Sequence, residues 1–468
     1  MDANPLQYKT LVQVAGRMRR QELSPVEVTR AMLDRIAKLD GSCHAYATVL
    51  AERAMARARQ AEAEIGKGIL RGPLHGVPVA VKDLCYTSFA PTAGGTTMFK
   101  NWTPAFTATV VERLEQGGAI LLGKLKMTEG AYTSHHPNDQ APLNPWNPAH
   151  WVGSSSTGSG VATAAGLCYG SLGSDTGGSI RFPSATCNLT GIKPTWGRVS
   201  RHGVFALADS MDHIGPMARS AADAAAILGV IAGADPNDPT AIQDPVPDYL
   251  AETGRNVRGL RVGIDRRYIT EGVDEQVIAA VGEAERVLLG LGMKVEQVDF
   301  PSTEKLLRGW IPFCAVETAI AHREHHPARS AEYGPALDQL IEHGRNIGGL
   351  ELGEILHDRL IFAGSLAAVF QDVDLLLMPT MPVPVPSLAR MSEYGADDSV
   401  LLNMLKFTAP FDFAGNPTIT LPAGMDRDGM PLSVQLIGAR AAEGLLCRAG
   451  HAFQQLTDWH TRHPPGLD

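Results

Sequence analysis

The chain has 468 residues, more than one simple hydrophobic core usually takes, so we expect a large domain that carries an inserted subdomain. Hydrophobic residues make up 44% and charged residues 19%, a composition typical of a globular protein. The net charge of −9 argues against nucleic acid or an anionic membrane as the main partner.

The first elements predicted are helices and a buried strand. Helices are expected within 5–38, where Ser24-Pro25-Val26-Glu27 forms a capping box with proline at the first helical position. A further helix, rich in Ala, Arg and Glu, covers 51–66 and stops at the glycines that follow. The run VPVAV then predicts a buried strand that ends at Lys82.

Lys82 has two interpretations. A lysine after a run of apolar residues is most often a strand-end charge that points into water, and this segment alone favours that interpretation. The alternative is a buried amine with a chemical role.

Residues 107–124 predict a helix, a glycine break and a strand, which together form one α/β unit. The next segment, 128–150, is a long polar loop rich in proline, and such loops often line sites. His135 and His136 lie in this loop. Because no third ligand stands at metal spacing, we expect a solvated pair rather than a metal site.

The second half of the chain alternates helices and strands without an internal repeat. A histidine-rich stretch, 322–326, does not have the HExxH order, so we expect a polar helix end before Pro327 rather than zinc. The predicted elements are a helix capped by Ser220 and running to Ala232, a β-α-β unit over 259–300, helices over 303–371, a buried strand over 374–380, a hairpin over 416–439 and a last helix over 441–456.

Cysteine usage and the lack of targeting segments predict a cytoplasmic protein. The start of the chain shows no basic segment followed by an apolar one, and no 18-residue uncharged apolar run occurs, so neither secretion nor a membrane span is expected. Six cysteines without a CxxC pair are interpreted as reduced, mostly buried thiols: Cys43, Cys85, Cys168, Cys187, Cys314 and Cys447.

The central stretch, 151–198, has few charges but many glycines and serines. Apolar residues recur in it at core-like spacing, so it is not a flexible linker. Buried hydroxyls need partners, and glycines let backbone N–H groups approach a ligand closely. A serine at the end of Asp175-Thr176-Gly177-Gly178-Ser179 is well placed to be a nucleophile beside an oxyanion hole.

Several separated segments now resemble one family. They are GVPVAVKD, GGAILLGK, NPWN, GSSSTGSG, GSDTGGSIRFPSATCNLTGIKPTWGRVS and FAGNPTITLP, in this order along the chain, and the resemblance as a whole covers about residue 10 to about residue 455. Together they resemble the amidase signature family of amide hydrolases. The resemblance implies an α/β fold in which a large twisted mixed β-sheet is surrounded by helices. It implies one domain over 1–468, with a helix-rich substrate cap over about 303–410.

The resemblance also implies a catalytic set of Lys82, Ser155 and Ser179. Ser155 and Ser179 are 24 residues apart (179 − 155), the separation that the family shows. Ser179 would be the nucleophile, Ser155 the proton relay and Lys82 the base, which must be neutral and therefore buried without a carboxylate partner. Asp83, on the other face of the strand, need not hold Lys82 charged. No metal and no organic cofactor are required.

Further site residues follow from the same resemblance. The developing oxyanion would lie near the backbone N–H groups of Thr176, Gly177, Gly178 and Ser179. The family often has glycines around its relay serine, whereas this chain has Gly153-Ser154-Ser155-Ser156, so the expected cis peptide bond joins Ser154 to Ser155. Supporting roles are expected for Ser154, Asp175 and Arg181, and hydrogen-bonding roles for Ser156, Ser159, Ser171 and Ser174.

Substrate contacts are implied at the loop after the GK strand: Gly130, Ala131, Tyr132 and Thr133. Aromatic residues either line the same cleft, which would favour an aryl or apolar substrate, or pack in the core: Tyr132, Trp146, Trp151, Trp310, Phe313, Phe407, Phe411 and Phe413.

The function expected is hydrolysis of the carbonyl C–N bond of small, partly apolar or aryl amides, with carbamates and anilides open. The alternatives are the glutaminase subunit of a tRNA-dependent amidotransferase, a non-catalytic binding protein, and a metal hydrolase using His322, His325 and His326. The partners expected are a small amide and, as an open alternative to a monomer, a second copy of the chain.

Overall fold

A computed structural model of the chain describes residues 5–394 and 398–467. One mixed sheet of eleven strands runs through these residues in the order β1-β3-β2-β4-β6-β5-β10-β11-β9-β7-β8. The strands are β1 (Tyr46–Val49), β2 (Pro78–Lys82), β3 (Ile120–Leu125), β4 (Gly170–Asp175), β5 (Thr190–Lys193), β6 (His213–Ala218), β7 (Arg261–Ile264), β8 (Lys294–Gln297), β9 (Leu375–Pro379), β10 (Thr418–Met425) and β11 (Pro431–Gly438).

Helices cover the sheet, which confirms the predicted fold class. They are α1 (Leu11–Arg19), α2 (Pro25–Cys43), α3 (Ala51–Gly66), α4 (Thr109–Gln116), α5 (Thr157–Ala164), α6 (Arg181–Thr186), α7 (Ala221–Ile231), α8 (Tyr249–Glu252), α9 (Arg266–Thr270), α10 (Glu275–Gly290), α11 (Glu304–Ala321), α12 (Pro335–Asn346), α13 (Gly349–Asp372), α14 (Leu388–Tyr394), α15 (Asp398–Leu405), α16 (Ala409–Phe413) and α17 (Glu443–Gln455).

The centre of the sheet is buried on both faces. Strand β2 pairs in parallel with β3 and β4, and every residue of these three strands is buried. Parallel strands with helices on both sides are expected to be buried in this way. Glycines let the polypeptide pack closely here, since a Cβ added to Gly215 in β6 would lie 2.1 Å from the Ile192 carbonyl oxygen.

Local signals placed most boundaries correctly. The Ser24 side chain accepts the Glu27 N–H at the start of α2, with Pro25 as the first helical residue. The predicted β-α-β unit is β7, α10 and β8, with the two strands parallel, and the predicted hairpin is the antiparallel pair β10 and β11. In the described part of the chain, no helix combines the length and apolar character that crossing a membrane takes.

The helix-rich region after residue 303 is divided by a strand of the main sheet. Helices α11, α12 and α13 precede β9, which pairs with β11 and β7, and α14 and α15 follow it. Helix α11 ends at Ala321, before Pro327 as predicted. His322 and His326 are buried, and they pair with the Tyr333 hydroxyl at 3.0 Å and the Asp338 carboxylate at 2.9 Å.

Candidate active site

Lys82 is the buried centre of a cluster of hydroxyls. It ends β2 with no exposed surface, so the prediction of a solvated strand-end lysine is wrong. Its Nζ lies 2.7 Å from Ser155 Oγ, 3.0 Å from Ser156 Oγ and 2.8 Å from Ser174 Oγ. Each of these oxygens is neutral, and no carboxylate forms a salt bridge with Lys82 among the described residues.

Burial changes the pKa of the Lys82 amine. Desolvation lowers the pKa of Lys82 to about 7, against a weaker opposing influence of Asp212 and Asp175. The neighbouring Asp83 points to the other face of the strand, as predicted from strand alternation, and its carboxylate pairs with Lys124 Nζ at 3.0 Å. A lysine whose pKa lies this far below its usual value can lose its proton near neutral pH and then accept one.

The three hydroxyls around Lys82 are not equivalent. Ser156 Oγ donates its proton to the Ser174 carbonyl oxygen at 3.2 Å and accepts the Ser174 N–H at 3.2 Å. It can therefore only accept from Lys82. Ser155 and Ser174 keep their protons available for the lone pair of a neutral Lys82. The Ser154–Ser155 peptide bond is cis, as expected.

Ser179 lies on the wall of a cavity, and its side chain is partly exposed there. It stands between β4 and α6, on a loop that wraps around the Asp175 carboxylate. The carboxylate accepts the N–H groups of Gly178 at 2.7 Å, Ile180 at 2.9 Å and Arg181 at 3.2 Å. These bonds fix the backbone of the predicted nucleophile from behind.

One predicted oxyanion donor is corrected by these contacts. The Gly178 N–H points at Asp175, so it is not free to bind an oxyanion in this structure. Among the described residues, the N–H groups of Thr176, Gly177 and Ser179 meet no acceptor. Gly177 must be glycine, since a Cβ there would lie 2.5 Å from the Trp310 ring, whose Nε1 donates to the Thr176 carbonyl at 3.0 Å.

A buried ionic cluster supports the loop. Arg181 donates to Asp175 through Nε at 3.0 Å and through Nη2 at 2.7 Å, and Nη2 also donates to Asp412 at 2.6 Å. Burial and the nearby Asp175 raise the pKa of Asp412 well above its usual range, whereas the Arg181 guanidinium lowers the pKa of Asp175. Asp412 was missed by the sequence reasoning, although it is a lone charge in the apolar run APFDFAG.

The cavity beside Ser179 has a volume of about 610 Å³. Ser154 and the predicted loop residues Ala131, Tyr132 and Thr133 line it. Gly130 does not line it, because it turns away with φ of 57° and a Cβ there would lie 2.6 Å from Leu337 Cδ2.

The aromatic candidates divide between the two interpretations. Tyr132, Trp151 and Trp310 line the cavity. The others pack in the core: Trp146, Phe313, Phe407, Phe411 and Phe413.

Most of the remaining wall is apolar and was not predicted. It comes from α6, α11, α12, α14, α15 and one loop: Phe182, Leu207, Ile311, Ala336, Leu340, Met391, Met404 and Leu405. The polar members include Ser134, Gln339, His343 and Ser392. No Asp, Glu, Lys or Arg is among the described residues that line the cavity, so it presents no formal charge of fixed sign.

The histidine sites show no metal-binding geometry. His135 Nε2 lies 3.2 Å from Thr157 Oγ1, and His136 is buried and accepts the Asn138 N–H at 3.0 Å, so the prediction of a solvated pair is wrong. His322 and His326 are paired as described above. Over residues 5–394 and 398–467, no group of three His, Cys, Asp or Glu side chains is placed to hold a metal ion.

The chain is similar in sequence and in fold to several known proteins. The sequence model of the family described as "Amidase" matches residues 27–447. The "Putative amidase AmiD" of Mycobacterium tuberculosis (strain ATCC 25618 / H37Rv) is 49% identical over 465 residues, which cover 99% of this chain and 98% of that protein. The A subunit of the glutamyl-tRNA(Gln) amidotransferase of Geobacter sp. (strain M21) is 34% identical over 97% of this chain and 99% of that protein.

A solved structure of a 6-aminohexanoate cyclic dimer hydrolase in complex with its substrate is also similar. It superposes with a TM-score of 0.89 at 27% identity, over 99% of this chain and all of that one. The family match, the relatives and the shared fold lead to one conclusion. The chain belongs to the amidase signature family, and it is a hydrolase of amides.

Proposed function

We propose that the chain hydrolyses small, neutral and largely apolar amides through an acyl-enzyme, with Ser179 as nucleophile, Ser155 as proton relay and Lys82 as base. One observation carries the proposal. A lysine whose pKa is lowered to about 7 lies 2.7 Å from the Ser155 hydroxyl, and Ser154, the neighbour of Ser155 in the chain, lines the same cavity as Ser179. A serine is a weak nucleophile without a base, and this lysine can serve as one.

The proposed reaction has two halves, acylation of Ser179 and hydrolysis of the acyl-enzyme. Neutral Lys82 takes the Ser155 proton, Ser155 takes the Ser179 proton, and the Ser179 oxygen attacks the amide carbon. The N–H groups of Gly177 and Ser179 stabilise the oxyanion. Ser155 then gives its proton to the leaving nitrogen and regains one from Lys82, so that Lys82 is neutral again; the C–N bond breaks and the amine departs. In the second half, a water molecule gives a proton to the same relay and attacks the acyl carbon. The bond between this carbon and the Ser179 oxygen then breaks, Ser179 recovers a proton from the relay, and the carboxylic acid is released.

The uncharged cavity supports an apolar substrate. Burying a charged group without a partner is costly, and glutamine carries both an ammonium and a carboxylate. The described lining residues offer neither an Asp or Glu for the first nor a Lys or Arg for the second. An aryl or alkyl amide loses water without that cost. Carbamates and anilides present the same carbonyl–nitrogen bond and also fit this class.

The main alternative is a glutaminase component of an amidotransferase, because the Geobacter amidotransferase relative is 34% identical to this chain. The two hypotheses predict opposite substrates. The purified single chain should release amine from apolar amides such as benzamide and hexanamide at least about 100-fold faster, per kcat/KM, than it releases ammonia from glutamine. Glutamine as the better substrate, or activity only with added partner proteins, would overturn the proposal.

A non-catalytic binding role on the same scaffold is tested by the same assay. In that case neither benzamide, hexanamide nor glutamine would be hydrolysed, and Ser179→Ala would bind amides as the wild type does.

We also propose a cytoplasmic location for the chain. All six cysteines are buried and free of disulfides, which supports a reducing compartment.

A further inference from the structure

Three consecutive carbonyl groups of the loop before Ser179 each accept a hydrogen bond. They belong to Thr176, Gly177 and Gly178. Their donors, in the same order, are the Trp310 indole Nε1 at 3.0 Å, the Thr408 hydroxyl at 2.6 Å and the Phe182 N–H at 2.6 Å.

Each of these bonds also sets the direction of the next N–H group. In a planar trans peptide bond, the C=O and the following N–H point in opposite directions, and the peptide bonds of this loop are trans. The Gly178 N–H shows the effect, since it follows the bonded Gly177 carbonyl and points away from Thr408. It donates instead to the Asp175 carboxylate at 2.7 Å. The Gly177 and Ser179 N–H groups follow the other two bonded carbonyls, they meet no acceptor in the described part of the chain, and both residues line the cavity.

The two unbonded N–H groups are held by different parts of the fold. The peptide plane before Ser179 is held locally, because Phe182 belongs to α6, which follows directly in the chain. The peptide plane before Gly177 is held by Trp310, which lies 134 residues later on α11. The direction of the Gly177 N–H therefore depends on a helix of the cavity wall.

Trp310 is itself firmly packed. Its side chain is buried, and a Cβ added to Gly177 would lie 2.5 Å from its ring. A Cβ added to the preceding Gly309 would lie 3.0 Å from Ile355 Cγ2, so α13 packs closely on α11 at this point. A ring enclosed in this way keeps its indole N–H in one place.

Helix α11 is also bonded to the loop that holds Thr176. The Thr318 hydroxyl of α11 donates to the Leu207 carbonyl at 3.1 Å. Asp212, a few residues further along that loop, accepts the Thr176 hydroxyl at 2.6 Å. Thr176 is thus fixed through its side chain by Asp212 and through its carbonyl by Trp310.

We propose that Trp310 is a positioning residue of the oxyanion hole: by holding the Thr176 carbonyl, its indole N–H directs the Gly177 N–H at the oxyanion. The inference deepens the proposed function and rests on it, because the oxyanion forms when Ser179 attacks the amide. Donors stabilise an oxyanion best when they are held in place before the reaction. Without this bond the peptide plane can rotate, since glycine has no Cβ to restrict φ. Helix α11 therefore acts on the chemical step and not only on substrate binding.

The first test is Trp310→Phe, which keeps an aromatic ring and removes the indole N–H. Complete loss of one oxyanion donor costs about 100- to 1000-fold in kcat, so loss of its orientation should lower kcat for hexanamide by about 10- to 100-fold. KM should change by less than about threefold, because the bond acts in the transition state. Trp146→Phe is the matched control: it removes an indole bond to the Cys187 carbonyl, 3.2 Å long and outside the cavity, and should keep kcat. An unchanged kcat in Trp310→Phe, or an equal loss in Trp146→Phe, would overturn the proposal.

A second test separates the indole N–H from the volume of the ring. Benzothienylalanine in place of Trp310 keeps the shape of the ring and has sulfur where tryptophan has N–H, so kcat should fall as in Trp310→Phe. Pentyl trifluoromethyl ketone forms a tetrahedral adduct with a serine, and its oxygen occupies the oxyanion position. Its Ki should rise by the factor by which kcat/KM falls. Wild-type kcat with benzothienylalanine, or an unchanged Ki, would show that Trp310 acts by packing alone and would overturn the proposal.

Ser179→Ala distinguishes failure of this inference from failure of the proposed function. Turnover by Ser179→Ala at the wild-type rate would overturn the proposed function and the role of Trp310 with it. If turnover requires Ser179 but both replacements of Trp310 keep kcat and Ki, only the role of Trp310 is overturned.

Discussion

The pH dependence of turnover follows from the surroundings of Lys82. If neutral Lys82 is the base, kcat/KM must rise with pH as the amine loses its proton, with a midpoint at the pKa of about 7. At that value about 9% of the lysine is neutral at pH 6 and about 91% at pH 8, so the rate should rise about tenfold over this interval. The assay is amine release from an apolar amide at a concentration well below KM.

Burial moves the pKa of Lys193 and of Glu129 to about the same value, so their effects must be separated from that of Lys82. Burial lowers the pKa of Lys193 to about 7 and raises that of Glu129 to about 7. Neither contacts the serine hydroxyls. Lys193 lies against His213 and the Asn416 carbonyl oxygen, and Glu129 accepts the Gly334 N–H. Lys193→Met and Glu129→Gln should therefore keep the midpoint of the wild type.

Ser174→Ala should move the midpoint, because its hydroxyl lies 2.8 Å from Lys82 Nζ. Hydrogen bonds to a charged donor are stronger than those to a neutral one by about 1 kcal/mol, so losing this acceptor destabilises the ammonium form. The midpoint should fall by roughly 0.7 pH unit. A rate that is flat or falling from pH 6 to pH 8, or a midpoint that moves in Lys193→Met but not in Ser174→Ala, would refute the assignment of Lys82.

Three further predictions concern stability and specificity. Folding lowers the pKa of Lys82 from 10.5 to about 7, so the folded protein binds fewer protons than the unfolded chain between these pH values. The free energy of unfolding of the wild type, compared with that of Lys82→Met, should therefore rise by about 2 kcal/mol from pH 7 to pH 9. Chemical denaturation of both proteins at the two pH values measures this, and a difference between them that does not change with pH would contradict it. Asp412→Leu should lower the free energy of unfolding by about 1–3 kcal/mol, because it removes an acceptor of the buried Arg181, and the isosteric Asp412→Asn should lower it by less. Equal melting curves for the wild type and the variants would contradict the buried hydrogen bond. Ile311→Ala, in the cavity wall, should raise KM for an apolar amide about fivefold or more, while Ile320→Ala, exposed on the same helix, should not; equal KM values for the two variants would contradict the role of this wall.

Much of the architecture could be predicted because its signals are local. The N-cap at Ser24, the apolar run before Lys82 and the polar turn of the C-terminal hairpin each depend on a few neighbouring residues. The resemblance carried the choice of Lys82, Ser155 and Ser179. The segment containing Lys82, taken alone, favoured a solvated lysine, because its partners come from positions 73 to 92 residues later.

The parts that could not be predicted depend on packing between distant segments. Leu340 and His343 reach the cavity because α12 packs against α11, whose Trp310 and Ile311 line the same cavity. Gly130 turns away because Leu337 occupies the space beside it. The Gly178 N–H is taken because Asp175 turns back on its own loop, a contact that no spacing rule distinguishes from an open oxyanion hole.

The most direct test of the proposed mechanism is covalent labelling of the nucleophile. An aryl fluorophosphonate should inactivate the enzyme with a stoichiometry of about one label per chain, and peptide mass spectrometry should place the label on Ser179. Ser179→Ala should neither turn over substrate nor take the label, while Ser159→Ala, at a buried serine that bonds the Leu172 carbonyl, should still be labelled. Labelling of Ser155, or turnover by Ser179→Ala at the wild-type rate, would contradict the mechanism.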